Sequence, residues 1–328
     1  MKFICYAYFL LLALLLSARI SAAQSPPGPL PPAATNSSAV SEVEDFSTPS
    51  LATSRLQPEP PELVEQSEEL DFVREWVTVQ WRPVDPIYLY VIRPRNVEKP
   101  PVVIYLYDYP YETDIYRDDD WCKRVTSGGY AAVGFVPALT GHRYHDRPMK
   151  EWFVSELQES LSKSAHDVQM VLNYLASRGN LDMDRVGIFG AGAGGTIAIA
   201  AASADSRIKA MDLLDPWGDW AVWTAKSEVI PEGERANYIK PEFLQKIAAF
   251  DPVALLPKLK AQSLRLTQTE EDLPNTPDAA KKQIEGALPA AGERRRFKSS
   301  GSATSGDPIY AWLKARLKPG HSAKPPIG

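Results

Sequence analysis

A glycine-rich stretch in the middle of the chain carries the strongest chemical signal in the sequence. Residues Asp184 to Thr196 read D-R-V-G-I-F-G-A-G-A-G-G-T, which predicts an apolar strand, a tight turn and an alanine-rich helix. Two chemistries use this arrangement. One is dinucleotide binding, in which a G-x-G-x-x-G turn, here Gly190, Gly192 and Gly195, brings backbone amides to a pyrophosphate. The other is nucleophilic catalysis, in which a G-x-S-x-G turn lifts a serine hydroxyl above the sheet.

Neither chemistry fits the stretch completely. In the alignment with G-x-S-x-G, Gly192 stands at the nucleophile position and carries no oxygen, although glycine readily adopts the strained backbone of such a turn. Dinucleotide binding is supported by Asp212 and Asp215, which follow at about the spacing of a ribose-binding acid. It is disfavoured by position, because several predicted strands and a long helix precede the turn. Nucleotide binding at Gly190–Gly195 therefore stays an alternative.

The elements that position this turn alternate between strands and helices. An antiparallel hairpin is predicted at 75–81 and 87–92, followed by strands at 101–107, 130–136, 185–189, 208–214, 263–268 and 294–298. Helices are predicted at 118–127, 152–177, 277–288 and 308–317. This order indicates an α/β protein with a mostly parallel sheet, helices on both faces and an antiparallel N-terminal edge. His166 falls on the helix face opposite Leu157 and is expected to be solvated.

The run from Ala165 to Gly195 resembles the α/β-hydrolase family, most closely its branch of dienelactone hydrolases and prolyl-oligopeptidase-type serine peptidases. The similarity lies in D-V-Q-M-V-L-N-Y-L-A at 167–176, D-R-V-G-I-F-G at 184–190 and the Gly/Ala turn. It implies an eight-stranded α/β-hydrolase fold over residues 69–317. It also implies a serine at the turn, an acid after the seventh strand, a histidine after the eighth, and an oxyanion hole partly built by the turn after the third strand.

Carried over residue by residue, the resemblance leaves no intact catalytic set. Gly192 stands at the nucleophile position, and Asp272 matches the acid or is an ordinary loop carboxylate. The base is expected at 298–306, where no histidine occurs. Tyr107-Asp108 stands where the family usually has His-Gly, and the Asp108 carboxylate would oppose a developing oxyanion. We therefore predict a non-catalytic pseudohydrolase that serves as a binding or structural module.

A hydrolase with a rebuilt, esterase-like or peptidase-like site is the second alternative. It would use Asp108, Asp272 or the loop histidines His142 and His145, whereas His321 lies in the C-terminal tail. The histidine pair with Asp146 lacks a separated third ligand, so we expect no metal and no cofactor.

Aromatic residues could line a pocket at the carboxyl ends of the strands. The candidates are Tyr109, Trp217 and Trp220, and the alternative is that they fill the space of a lost active site. A pocket there would suit a small molecule or a peptide. The partner is unknown.

Composition bounds the remaining questions. The chain has 328 residues and a net charge of −5, which gives no reason to expect nucleic acid as a partner. Residues 1–23 are typical of a secretory signal peptide, cleaved or kept as an anchor, and predict export to the periplasm or the exterior. A Pro-rich disordered linker is expected at 24–68 and a flexible tail at 318–328. After signal cleavage no transmembrane segment remains, and Cys122 is the only cysteine, so no intrachain disulfide can form.

Overall fold

The computed structural model describes residues 44–83, 85–108, 114–138, 143, 154, 156–259, 263–270, 276–298 and 307–318. Among these residues, no helix combines the length and the apolar character that a membrane crossing would need. The expected signal peptide, most of the expected tail and the first part of the expected linker lie outside the described residues.

The described residues form a nine-stranded sheet, with strand order β1-β2-β3-β5-β4-β6-β7-β8-β9. The pairs β1–β2, β2–β3 and β3–β5 are antiparallel, and all the others are parallel. The expected fold class is therefore confirmed. The strands are β1 Glu62–Glu68, β2 Phe72–Val79, β3 Ile87–Pro94, β4 Pro101–Leu106, β5 Ala131–Gly134, β6 Asp182–Ala191, β7 Ile208–Leu214, β8 Ser263–Thr269 and β9 Glu293–Phe297.

Helices cover both faces of this sheet. The α-helices are α1 Asp119–Thr126, α2 Leu157–Arg178, α3 Ala193–Ala204, α4 Trp220–Lys226, α5 Arg235–Tyr238, α6 Pro241–Ile247, α7 Pro252–Leu255, α8 Asp278–Gly286 and α9 Asp307–Arg316. Short 3-10 helices lie at Leu51–Thr53, Asp114–Arg117, Glu232–Glu234, Ala248–Phe250 and Leu256–Lys258.

The buried strand β4 shows how the sheet separates two hydrophobic cores. Val102, Ile104 and Leu106 point into the core beneath α2 and α3. Val103 and Tyr105 point into the opposite core beneath α1 and α9. Because alternate side chains face opposite sides of a strand, only an apolar run such as this one can be covered on both faces. Cys122 on α1 belongs to the second core, and burial raises the pKa of its thiol to about 11.

Residues 44–61, which we call the N-terminal strap, correct the predicted linker boundary. The strap packs along α2, where the Leu51 amide donates to Gln169 Oε1 at 3.2 Å and Ser162 Oγ donates to the Thr48 carbonyl at 3.0 Å. Strand β1 lies within the segment predicted to be disordered, and it pairs with β2. The expectation of disorder is therefore wrong for residues 44–68, and β1 brings the sheet to nine strands. The strap is polar in composition, but its contacts with α2 provide hydrogen-bond partners for its backbone and side chains.

A buried ionic network holds the start of the strap. Glu44 accepts two hydrogen bonds of 2.6 Å from the Arg82 guanidinium. Its carboxylate also lies 2.6 Å from Nδ1 of His166. The His166 side chain is 0% exposed, so the prediction that it is solvated is wrong. The physical reason is that the strap covers a helix face that the helical periodicity alone assigns to solvent.

Asp167 extends this network beneath the strap. Its carboxylate accepts from Arg82 Nη1 at 2.5 Å, Arg143 Nη1 at 2.8 Å and the Trp81 indole N–H at 3.0 Å. Arg143 also bonds Asp85, at 2.6 and 2.9 Å. We call Glu44, Arg82, Asp85, Arg143, His166 and Asp167 the strap network. Each charge in it faces an opposite charge, as burial requires.

Candidate active site

The turn between β6 and α3 has the backbone shape predicted for it. Gly192 has φ 52° and ψ −121°, a conformation that residues with a side chain rarely adopt. Its amide donates to the Leu214 carbonyl at 2.9 Å, which ties the turn to β7. Its carbonyl accepts from the amides of Gly195 at 3.0 Å and Trp217 at 3.4 Å. Backbone hydrogen bonds therefore tie the turn to β7, to α3 and to the segment after β7.

The flanking glycines allow close approach of β4, the turn and α3. A Cβ at Gly190 would lie 2.6 Å from the Gly194 carbonyl oxygen, and a Cβ at Gly194 would lie 2.3 Å from the Leu106 carbonyl oxygen. A Cβ at Gly195 would meet the Pro216 side chain at 3.0 Å. Packing therefore accounts for the G-x-G-x-x-G pattern without a bound nucleotide.

Asp108, two residues beyond β4, lies directly over Gly192. Its Oδ1 accepts a hydrogen bond of 2.8 Å from the amide of Ala193. A Cβ on Gly192 would lie 2.0 Å from Asp108 Cγ and 2.2 Å from each of its carboxylate oxygens. The carboxylate therefore occupies the volume in which a nucleophilic side chain would stand. No residue larger than glycine fits at 192 unless Asp108 moves.

Tyr107 lies beside Asp108 in sequence but contributes to the core beneath α1. Its hydroxyl accepts from the Trp121 indole N–H at 3.0 Å. Its ring packs at 5.8 Å from the ring of Phe189 and at 6.2 Å from that of Tyr116. The two side chains expected at the oxyanion turn thus have separate surroundings: that of Tyr107 lies in the core beneath α1, and that of Asp108 lies over the turn.

The candidate pocket residues Trp217 and Trp220 are buried among other aromatics. They are 0% and 2% exposed. The ring of Trp223 lies 5.1 Å from Trp217 and 5.6 Å from Trp220. This packing favours the alternative in which these rings fill space over the sheet, although Tyr109, the third candidate, lies outside the described residues.

Comparison with known proteins agrees with this geometry. Residues 87–213, which include β3 to β7 and the turn, match the model of the dienelactone hydrolase family. Acetyl xylan esterase 1 from Thermoanaerobacterium superimposes with a TM-score of 0.60 at 16% identity, covering 79% of this chain and 89% of that one. The protein has the α/β-hydrolase fold. The resemblance stated from the sequence is confirmed, and we call the turn around Gly192, between β6 and α3, the elbow.

Two further esterase structures superimpose on the same part of the fold. An acetyl xylan esterase from Paenibacillus has a TM-score of 0.59 at 17% identity, covering 79% of this chain and 89% of that one. A glucuronoyl esterase from Solibacter usitatus has a TM-score of 0.53 at 15% identity, covering 78% and 86%. No curated protein sequence is significantly similar to the chain. At these identities the superpositions show the fold that the proteins share.

Several positions that matter in an α/β-hydrolase lie outside the described residues. They are the acid candidate Asp272, the stretch 299–306 in which the base is expected, His142, His145, Asp146 and His321. His166, the one histidine among the described residues, belongs to the strap network on α2. Within the described part of the chain, no group of three or more His, Cys, Asp or Glu side chains could hold a metal ion.

A second carboxylate near the elbow, Asp215, has a role that the sequence did not reveal. It follows β7 with φ 40°, and its carboxylate accepts from the amide of Thr269 at 3.1 Å and from its hydroxyl at 2.8 Å. Burial raises the pKa of Asp215, which Thr269 and Lys281 only partly offset. The sequence singles out Asp215 only as a candidate ribose-binding acid and gives no sign of its contact with Thr269.

Asp212, the other acid that would suit a ribose, faces Arg265 on β8. The guanidinium donates to both carboxylate oxygens, at 2.9 and 2.5 Å. Burial raises the pKa of Asp212, and the Arg265 bonds oppose this shift. Both acids of the dinucleotide alternative are thus engaged in contacts between β7 and β8, so the structure gives that alternative no support.

Proposed function

We propose that this α/β-hydrolase-fold protein is a pseudohydrolase, a binding or structural module without acyl-transfer chemistry. The observation that carries the proposal is the Asp108 carboxylate seated over Gly192 and bonded to the Ala193 amide. In the nucleophile-elbow mechanism, the residue at 192 supplies the attacking oxygen and the amide of residue 193 stabilises the oxyanion. Here the first is missing and the second is occupied.

Charge strengthens this argument. An oxyanion hole works because its donors face the place where negative charge develops. A carboxylate at that place repels the charge and competes for the same N–H. Hydrolases that lose triad residues keep about 10³–10⁴-fold acceleration through their oxyanion hole and substrate binding. We therefore expect this protein to fall below even that residual activity.

We further propose that the protein acts outside the cytoplasm, with residues 1–23 as its signal peptide and a small molecule or peptide as its ligand. Basic and apolar residues at the start of the chain support export. N-terminal sequencing of the protein from the medium or periplasm tests this. A mature chain that begins after position 23 agrees with the proposal, and an intact Met1 contradicts it.

Activity-based labelling tests the pseudohydrolase directly. The purified full-length chain is incubated with a fluorophosphonate probe and, separately, with short-chain aryl esters. We expect no labelling and no hydrolysis above a heat-denatured control. The double variant Asp108→Gly/Gly192→Ser supplies a hydroxyl but no histidine at 298–306, so it should stay unlabelled too. An active serine esterase treated in parallel is the control for the probe. Labelling of the wild-type chain, or turnover that the heated control lacks, would show that the proposal is wrong.

A hydrolase rebuilt around Asp108 is the second candidate. It is favoured by the position of this carboxylate, which stands where a nucleophile would and could attack an acyl carbon or activate water. If ester hydrolysis is found, Asp108→Asn, which keeps the shape and removes the charge, should lower kcat by at least about 100-fold, the lower range for loss of an acid–base group. An unchanged kcat in Asp108→Asn would remove this candidate.

A further inference from the structure

A small polar cavity lies on the antiparallel edge of the sheet, away from the elbow. Its volume is about 150 Å³, and its walls are Glu65, Ser67, Arg74, Trp76, Tyr90 and Arg117. Ser67 is paired with Arg74, Glu65 with Trp76, and Trp76 with Tyr90. Residues paired across strands, and residues two apart in one strand, lie on the same face of a sheet. Five of the six side chains therefore share one face of β1, β2 and β3.

Arg117, the sixth residue, closes the cavity from the end of the 3-10 helix. Its Nε donates to the Tyr90 hydroxyl at 2.8 Å, and its guanidinium carbon lies 4.8 Å from the centre of the Trp76 ring. These two contacts fix the plane of the guanidinium. Its two terminal nitrogens have no hydrogen-bond acceptor and no ion-pair partner among the described residues. A planar, pre-oriented pair of N–H donors is thus left available at the cavity.

Arg74 brings a second guanidinium to the same cavity. Its Nη1 donates to the Arg117 carbonyl at 2.8 Å and to Asp119 at 2.9 Å. These bonds hold the side chain in place, and it is only 16% exposed. Its Nε and Nη2 have no acceptor within the part of the chain that the structure describes. Arg74 and Arg117 therefore both bring N–H groups without an acceptor among the described residues to this cavity.

Two uncharged donors in the same walls are also unsatisfied. The Ser67 hydroxyl and the Trp76 indole N–H are both shielded from solvent and lack a hydrogen-bond partner among the described residues. Buried polar atoms nearly always find a partner, so each exception calls for an explanation. An acceptor inside the cavity would satisfy both, and the neighbouring arginines indicate that this acceptor is negatively charged.

We propose that this cavity binds a small oxyanion group: a phosphate, a sulfate or a carboxylate. The volume is about that of five water molecules in the liquid, enough for a tetrahedral oxyanion. Guanidinium forks match the oxygens of such groups, and charge-assisted hydrogen bonds are the stronger kind. Asp119 already balances the charge of Arg74, and Glu65 at the exposed rim opposes an anion, so the affinity depends chiefly on the charge of Arg117 and on the hydrogen-bond donors of the cavity. The site is independent of the chemistry proposed at Gly192.

Titration of the full-length chain with inorganic phosphate, sulfate and acetate tests the proposal. Calorimetry at constant ionic strength, with chloride as the balancing anion, should give saturable binding of at least one of the three. Binding of phosphate and sulfate alone identifies a tetrahedral oxyanion site, and binding of acetate as well identifies a site for carboxylates too. If none of the three binds with saturation, the proposal is overturned.

Four variants locate the binding. Arg117→Gln should weaken binding by about tenfold or more, as expected for the loss of a charge-assisted pair of hydrogen bonds. Ser67→Ala should weaken it about two- to fivefold, and Glu65→Gln should strengthen it by a similar factor because a repelling charge is removed. Arg294→Gln, which removes the same charge from an exposed position on β9, is the matched control and should leave binding unchanged.

A spectroscopic readout separates binding from nonspecific ion effects. Trp76 lines the cavity, so the bound anion should change its intrinsic fluorescence, and this change should be lost in Trp76→Phe. Circular dichroism of each variant checks that the fold is kept. Equal affinities of the wild-type chain and a folded Arg117→Gln variant would refute the assignment of the site.

Discussion

Asp108 at the elbow and Asp167 in the strap network are two carboxylates held in contrasting ways. Asp108 is bonded to a backbone amide, that of Ala193, at the end of a turn whose shape depends on glycine. Asp167 is bonded to side chains, the guanidinium groups of Arg82 and Arg143 and the indole of Trp81. Asp108 makes its contact because the backbone at Ala193 comes close to it. Asp167 makes its contacts because charged side chains surround its buried carboxylate.

This difference shows which interactions determine the structure of each region. The elbow keeps its backbone hydrogen bonds to Leu214 and Trp217 even though Gly192 presents no hydroxyl. Its shape therefore serves the packing of β6, β7 and α3 whether or not it serves chemistry. The strap network also uses backbone carbonyls, those of Thr48, Lys163 and Val136, but its charged side chains depend on one another for a counter-charge. The elbow should tolerate loss of Asp108, whereas the network should not tolerate loss of Asp167.

Asp167→Ala should have the largest effect. It leaves the Arg82 and Arg143 guanidinium groups without this shared carboxylate, and breaking a buried pair costs about 3–5 kcal/mol. We expect the free energy of unfolding in urea to fall by this amount. Asp184→Ala, at an exposed position, is the control and should change it by less than about 0.5 kcal/mol. A loss below about 1 kcal/mol in Asp167→Ala would remove the contrast between the regions.

Gly192→Ser should come next. The side chain would need a strained backbone, about 1–3 kcal/mol, and would overlap the Asp108 carboxylate. Asp108→Gly alone should cost little, and in the double variant the serine should be tolerated better. We expect a coupling energy of about 1–3 kcal/mol between the two sites in a double-mutant cycle of urea unfolding. Additive effects would mean that the two residues do not share this space.

Acid should weaken the strap network through Glu44. Burial raises the pKa of Glu44, but the hydrogen bonds from Arg82 and His166 outweigh burial, so its pKa lies below the usual value of 4.5. A carboxylate with a lowered pKa contributes stability that is present above its usual pKa and is lost as the pH falls through its folded value. The wild-type chain should therefore lose stability below about pH 4.5. The melting temperature of Glu44→Gln should fall less steeply over this range, whereas Glu59→Gln, exposed in the same strap, should follow the wild-type slope.

Thr269→Val should have the smallest effect and sharpens the comparison. Asp215 is an intermediate case, because it accepts from the backbone amide of Thr269 as well as from its hydroxyl. Removing the hydroxyl leaves the backbone bond, so the cost should be about 1 kcal/mol in urea unfolding. A cost near that of Asp167→Ala would show that the side chain, and not the backbone, holds Asp215.

Local signals in the sequence predicted the elbow well and the strap network poorly. The glycine spacing and the apolar strand before it predict the turn at Gly192 from about a dozen consecutive residues. The alternation of strands and helices, together with the resemblance to hydrolases, predicts the sheet around it. The contacts of Glu44 with Arg82 and His166 join residues far apart in the chain. The polar composition of the strap predicts solvation, and only the tertiary packing against α2 reverses it.

The sequence predicted which residues form the candidate site better than it predicted how they are arranged. The sequence pointed to Gly192 and Asp108 separately, one as a missing hydroxyl and the other as a misplaced charge. That the carboxylate of Asp108 occupies the side-chain volume at Gly192 depends on residues 107–108, which follow β4 and lie over the start of α3. Likewise, Arg74 and Arg117 are 43 positions apart and meet only because the 3-10 helix ends beside β2.

Strand β1 has a consequence for how copies of this protein behave at high concentration. As an edge strand it offers unpaired backbone groups, and Leu63 and Val64 on it are 55% and 45% exposed. Glu62, Glu65 and Glu68 place three carboxylates along the same strand. Glu68 is paired with Arg95, so a second molecule approaching edge to edge would be repelled mainly by the carboxylates of Glu62 and Glu65, and this repulsion opposes aggregation at the edge.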